Sequence, residues 1–246
     1  IGPEILDIEV SDICSRKCDF CYKSNSEYGK FMSFENYKII LDKMKSSVLQ
    51  IALGVGDIDY DFDTLLNILE YTRNLDIVPN ITINGNRLTQ PYINLLSFYC
   101  GAVSVSNYNK DTCYGAVQKL TDAGMKQVNI HQLVAKETLP QIKSLISDVR
   151  NGDPRLAKLR NIVFLMLKPK GQRNNFTSLK TLDEHWSFLQ DLFENRIEGT
   201  GFGFDSCYAP TLMYLLSKSM PEEYERQKIY IEPCESALFS SYVNVK

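Results

Sequence analysis

The sequence predicts an α/β fold: an open, TIM-like partial (β/α)6 barrel with a small cysteine-containing C-terminal extension. Two observations lead there. Short apolar, β-rich runs alternate with helical patterns almost from end to end, and the alternation stops near Glu198. The strands are expected at Ile5–Val10, Val48–Leu53, Asn80–Ile83, Ala102–Ser106, Gln127–Val134 and Asn161–Leu167. Helices are expected near Ser33–Met44, Phe62–Asn74, Gln90–Phe98, Asp111–Ala123, Leu139–Val149 and Leu182–Phe193. Apolar residues at i, i+3 and i+4 mark the helices, as in Leu65, Leu66, Ile68, Leu69 and Tyr71. Ser33, followed by Glu35, has the chemistry of an N-cap, and Gly124 stands where a C-cap belongs. Alternating units imply parallel pairing through right-handed crossovers, and six units are fewer than the eight of a closed barrel.

Residues 1–197 form the expected barrel and 198–246 the extension. In the extension Gly199, Gly201 and Gly203 lead into Asp205-Ser206-Cys207, followed by a short apolar stretch and a polar linker around Lys218–Gln227. Ile229–Lys246 reads as strand, turn and strand. It stops mid-pattern at Val243-Asn244-Val245-Lys246, so the module is expected to be incomplete. The chain opens on Ile1 without Met, and the native N-terminus is expected upstream.

A length of 246 residues is compatible with one core. With 44% apolar and 23% charged residues the composition is that of a globular protein. A net charge of −3 provides no general field for nucleic acid or an anionic membrane. No apolar run approaches the roughly 20 residues that cross a bilayer, and no signal peptide is expected before Ile1. Of seven cysteines, three fall within eight residues. A secreted disulfide framework favours an even count in a smaller chain, so clustered thiols point to metal or redox chemistry in a reducing, cytoplasmic setting.

The cluster is Cys14-Ser15-Arg16-Lys17-Cys18-Asp19-Phe20-Cys21, spaced C-x3-C-x2-C directly after the first strand. Three thiolates on one loop can each ligate a different iron of a [4Fe–4S] cubane and leave the fourth iron open to a small molecule. A zinc knuckle and three incidental core thiols are the other readings. Zinc sites usually pair two C-x2-C knuckles or add His, and His131 and His185 lie far away in sequence.

This loop resembles the signature of the radical S-adenosylmethionine (SAM) superfamily, including the aromatic Phe20 before the last cysteine. Its place after the first strand of a six-unit partial barrel matches as well, and the resemblance covers residues 1–195. It implies that Cys14, Cys18 and Cys21 hold a [4Fe–4S] cluster, and that SAM binds the open iron through its amino and carboxylate groups. The reduced cluster then cleaves SAM to methionine and a 5′-deoxyadenosyl radical that abstracts hydrogen from substrate. A flavodoxin- or ferredoxin-type protein is the implied electron donor.

The resemblance also implies SAM contacts along the strand ends. The second strand ends Gly54-Val55-Gly56-Asp57, where the family has Gly-Gly-Glu-Pro; Val55 interrupts the glycine pair and no Pro follows. Gly54 and Gly56 would admit the methionine ammonium, with Asp57 as its counter-charge; a plain tight turn is the other reading. Asn84 belongs to a Thr-Asn-Gly-like turn, which is also an everyday turn sequence. Ser106 ends the fourth strand, against SAM or simply solvated. The fifth strand, with His131 and Gln132, is implied to offer a polar side chain to the ribose, a structural histidine being the other reading of His131. Leu167 ends an apolar sixth strand that reads as core packing; the resemblance implies that this strand's end meets the adenine. Lys168, Lys170 and Arg173 resemble a Pro-Gly-Arg ending of some members; they face substrate or are solvated, and solvation is the preferred reading.

Cys207 and Cys234 resemble the start of a SPASM or Twitch extension, which implies an auxiliary Fe–S cluster; one cubane needs more ligands than these two, so either further ligands follow Lys246 or these are ordinary thiols. Cys100 and Cys113 sit among apolar residues and read as core side chains. Three functions stand open: radical modification of a peptide or protein; radical chemistry on a nucleotide, nucleic acid or small metabolite; and a non-catalytic iron–sulfur or zinc protein. The chain lacks the basic, aromatic-interleaved stretch that nucleic acid would favour.

Overall fold

The computed structural model describes residues 2–232, 234 and 239–245. Its centre is one parallel sheet curled into an open half-barrel. Six strands fall where the sequence places them: β1 (Ile5–Glu9), β2 (Gln50–Gly54), β3 (Val78–Ile83), β4 (Val103–Ser106), β5 (Val128–Val134) and β6 (Asn161–Met166). The helices α1 (Phe34–Met44), α2 (Phe62–Asn74), α3 (Gln90–Tyr99), α4 (Lys110–Asp122), α5 (Leu139–Arg150) and α6 (Leu182–Glu194) alternate with them.

Local chemistry starts these helices. Ser33, Asp61 and Asn109 each accept an N–H of the first turn, and Thr181 forms a reciprocal capping box with Glu184. Gly124, just past α4, has φ of +93°, the conformation that favours glycine. Period-2 alternation then decides which face of the sheet is covered. Leu6, Ile8, Ile51, Leu53, Ile81, Ile83, Val103, Val105, Val128 and Ile130 form the core with the helices. Asp7, Glu9, Asn80, Thr82, Ser104, Ser106, Asn129 and His131 alternate with them and take the other face.

The strand count departs from expectation. Two further strands, β7 (Gly201–Phe204) and β8 (Ser240–Val243), flank the six, giving the order β7-β6-β5-β4-β3-β2-β1-β8. Both come from the stretch read as an extension, β7 pairing with β6 and β8 with β1. β7 carries too few alternating residues to stand out from its glycine run, whereas β8 is the second strand read in the tail and joins the barrel sheet. The expected first strand of the tail is instead a 3₁₀ turn at Lys228–Tyr230. Helices α7 (Ala209–Ser219) and α8 (Pro221–Gln227) occupy the intervening stretch. Among the described residues no helix is long and apolar enough to cross a membrane.

Candidate active site

The loop from Val10 to Met32 leaves β1 at its C-terminal end and returns beside it. The Met32 N–H donates to the Val10 carbonyl (2.7 Å), Asp12 to Lys30 (3.1 Å) and Cys14 to Ser26 (2.9 Å), so the loop's two arms are zipped together. The half-buried thiols of Cys14, Cys18 and Cys21 lie at its closed end. The Cys21 N–H turns back onto the Cys18 carbonyl at 3.2 Å.

Two other loops clamp this one. On one side, the Asp57 N–H donates to the Ile13 carbonyl (2.8 Å), and the Asp57 carboxylate accepts the Ser15 N–H (2.7 Å). A β-carbon on Gly56 would stand 2.7 Å from the Ile13 carbonyl carbon and 2.8 Å from the Cys14 β-carbon, so only glycine admits this approach. On the other side, the segment after β6 lies across residues 19–25. There the Asn175 N–H donates to the Asp19 carbonyl (2.9 Å), Gln172 to the Ser24 hydroxyl (3.1 Å), and the Arg173 guanidinium to the Asn25 carbonyl (2.6 Å). Arg173 is therefore not the solvated cation expected; its Nε and the Asn25 Oδ1 are buried with no protein partner.

The electrostatics differ between the first two thiols. Burial pushes the Cys14 thiol up, and the Asp57 carboxylate and the other two cysteines push it further. Burial also raises Cys18, against a hydrogen bond from the Arg16 guanidinium. Arg16 in turn reaches the Asn86 side chain at 3.2 Å and lies 5.3 Å over the Tyr108 ring. Phe20 packs between Tyr108 (5.2 Å) and Phe176 (5.1 Å), forming an aromatic wall beside the thiols. Burial pushes the Tyr108 hydroxyl up to about 12, against a hydrogen bond with Ser106.

The other expected site residues divide into two groups. Ser106 and His131 are register partners on β4 and β5, on the polar face of the sheet. Burial lowers His131 to about 4, so its imidazole is neutral at neutral pH. The Gly54 carbonyl accepts the Val10 N–H at 2.9 Å, and a β-carbon there would lie 3.4 Å from Lys23 Nζ. Asp57, Asn84 and Gln132, expected against SAM, are buried and hydrogen-bond within the protein. Asn84 donates to the Gly56 carbonyl and to Asp57, both at 3.0 Å. Gln132 is fully buried and bonds Asn107 (2.8 Å) and the Leu133 carbonyl (2.9 Å). Buried Leu167 ties β6 to β5 through the Val134 carbonyl at 3.1 Å.

Sequence reasoning missed the ion pair of Glu9 and Lys23 (3.0 Å), in which Glu9 is almost wholly buried. The signal was present in the first strand, where Leu6 and Ile8 take the core face and leave Asp7 and Glu9 opposite. Lys23 gave no such sign, because only the returning loop brings it there. Cys207 and Cys234 are exposed and their thiols hydrogen-bond each other, with Asp205 and Lys168 nearby. Cys100 and Cys113 are core side chains, each pushed up to about 12 by burial. Among the described residues no three His, Cys, Asp or Glu side chains converge closely enough to hold a single metal ion. A cubane does not require that convergence, since it spreads three thiolates over three irons. The half-buried three-thiol loop, with the unpartnered Arg173 Nε–H donor at its clamp, fits such an electron-rich group.

No protein-family model and no curated protein matches the sequence. Solved structures do match the fold. Streptococcus suis SuiB bound to S-adenosylmethionine superposes with a TM-score of 0.72 at 16% identity, over 99% of this chain and 58% of SuiB. A maturase of the [FeFe]-hydrogenase, HydG, gives 0.62 at 13% identity, over 80% of this chain and 50% of HydG. The protein anSMEcpe with bound AdoMet gives 0.61 at 16% identity, over 87% of this chain and 67% of its own. The neighbours are radical SAM enzymes. The chain has the radical SAM fold. It spans a little over half the length of SuiB, and in it the cysteine loop stands at the C-terminal end of β1.

Proposed function

We propose that the chain is the catalytic core of a radical SAM enzyme acting on a peptide or protein. The observation that carries this reading is the C-x3-C-x2-C loop at the C-terminal end of β1, clamped by the loops after β2 and β6. Cys14, Cys18 and Cys21 would hold a [4Fe–4S] cluster with one iron left for SAM. When bound, that cluster supplies the electron that splits SAM into methionine and a 5′-deoxyadenosyl radical.

The chain's own residues do the rest. Phe20 and Tyr108 wall the cofactor off from water on the cysteine side. Ser106 and neutral His131 offer uncharged hydrogen bonds on the polar face of the sheet, where Gly54 leaves room. The buried Glu9–Lys23 pair presents fixed charge at the end of β1. Cys207 and Cys234, held thiol to thiol, would contribute two ligands to an auxiliary Fe–S cluster completed by residues elsewhere in the protein. The electron donor is of flavodoxin or ferredoxin type, and the protein works in the cytoplasm, where thiols stay reduced.

A peptide substrate is supported by SuiB bound to its precursor peptide SuiA, which shares the fold over 99% of this chain at a TM-score of 0.73. The test is anaerobic incubation of the reconstituted, reduced protein with SAM and candidate peptides encoded near its gene. Release of 5′-deoxyadenosine with a change in peptide mass supports the reading. Cleavage of SAM that only a nucleotide or small metabolite stimulates would move the substrate to another class.

A further inference from the structure

Asp57 lies in a ring of hydrogen bonds that begins and ends on the cysteine loop. The Ser15 N–H donates to one carboxylate oxygen of Asp57 at 2.7 Å. The other oxygen accepts Asn84 Nδ2 at 3.0 Å, and Asn84 Oδ1 accepts the Asn86 N–H at 2.9 Å. Asn86 Oδ1 then accepts Arg16 Nη1 at 3.2 Å. Ser15 and Arg16 are neighbours between Cys14 and Cys18, so the ring ties the turns after β2 and β3 to the segment carrying the first two thiols. Asp57 is 5% exposed and Asn84 6%, and each aims its polar atoms into this ring.

We propose that Asp57 is a positioning residue for the cluster loop and not the counter-charge of SAM's ammonium group. This rests on the reading of Cys14, Cys18 and Cys21 as cluster ligands. The glycine before Asp57 has the same purpose, since its missing side chain lets Ile13 and Cys14 lie against the turn. A buried carboxylate accepting two donors holds a loop more firmly than a neutral acceptor, because charge-assisted hydrogen bonds are stronger. Its negative charge also stands beside Cys14, where it opposes reduction of a cluster bound there.

The roles of buckle and counter-charge separate in Asp57→Asn and Asp57→Ala. Asparagine keeps one acceptor for the Ser15 N–H, while alanine keeps none, yet both remove the same charge. In the reconstituted proteins we expect iron to be lost to a chelator about ten- to a hundredfold faster in Asp57→Ala, with Asp57→Asn between it and the parent. The midpoint potential of the cluster should rise in both variants. SAM affinity of the cluster-loaded fraction, read from the electron paramagnetic resonance (EPR) spectrum, should stay within about threefold of the parent, a change too small for loss of a charge-assisted contact. Asn84→Ala, which breaks the ring without removing charge, should speed iron loss and leave the potential in place. If Asp57→Ala does not fold, Asp57→Asn and Asn84→Ala give the same comparison. Parent-like iron retention with an equal, tenfold or greater loss of SAM affinity in both Asp57 variants overturns the proposal. A parent protein that assembles no cluster overturns the underlying reading instead.

Discussion

Gly171 lies against Cys21 so closely that a β-carbon on it would stand 3.0 Å from the Cys21 carbonyl carbon and 2.8 Å from the Tyr22 α-carbon. Its φ of +96° is closed to ordinary side chains. The glycine thus sets how tightly the segment after β6 can close on the third thiol of the cysteine loop.

Gly171→Ala should therefore loosen this latch. The backbone conformation alone costs about 1–2 kcal/mol with a side chain present, and the overlap with Cys21 adds to it. We expect the variant to fold, since Gly171 is outside the core, but to retain less iron than the parent after desalting. Arg173→Ala should show a smaller loss, because the backbone bond from Asn175 to Asp19 survives. Iron assays beside the apo-protein melting temperature separate a loosened latch from a destabilised fold.

His131 gives a pH dependence with a definite sign. Its folded pKa, lowered to about 4, lies below the ordinary value of 6.5. Between those values the unfolded chain binds a proton that the folded chain refuses, so folding stability falls as pH drops from about 6.5 to 4. The loss is about 3.5 kcal/mol at most, from about 1.4 kcal/mol per pKa unit. Melting curves of the apo-protein at pH 7.5 and 5 should show the drop, and His131→Asn should reduce it. An equal drop in both proteins would assign the slope to another group that the fold keeps deprotonated, such as His185, which burial also lowers; Asp7 and Asp205, raised by burial, act with the opposite sign.

Cys207 and Cys234 predict an effect confined to the second site. Their double alanine variant should keep the cluster on Cys14, Cys18 and Cys21 and cleave SAM without turning over peptide. If these thiols hold further iron, the full-length variant should contain less of it. Unchanged iron content and turnover would show that the pair ligates nothing.

How far the sequence leads depends on the range of the interaction involved. Leu6 and Ile8, or Val103 and Val105, announce a half-buried strand because their alternation is local. The three thiols announce themselves by spacing on a single loop. Asp57 does not: nothing near it in sequence says that its carboxylate will meet the backbone of Ser15, 42 residues away, so its chemistry suggested a free cation as partner. Gly56 was legible as a close approach, but the approaching group proved to be the cysteine loop. β8 was legible as the second strand of the tail, but its place in the sheet was not, because pairing with the open edge of β1 joins residues far apart in sequence.

The most direct test of the central claim is EPR spectroscopy of the anaerobically reconstituted, dithionite-reduced protein carrying Cys207→Ala and Cys234→Ala, with and without SAM. We expect the signal of one reduced [4Fe–4S] cluster, altered on adding SAM because one iron exchanges its ligand, and absent when Cys14, Cys18 and Cys21 are also replaced by alanine. A cluster signal that survives those replacements, or one that SAM leaves unchanged, would contradict the account.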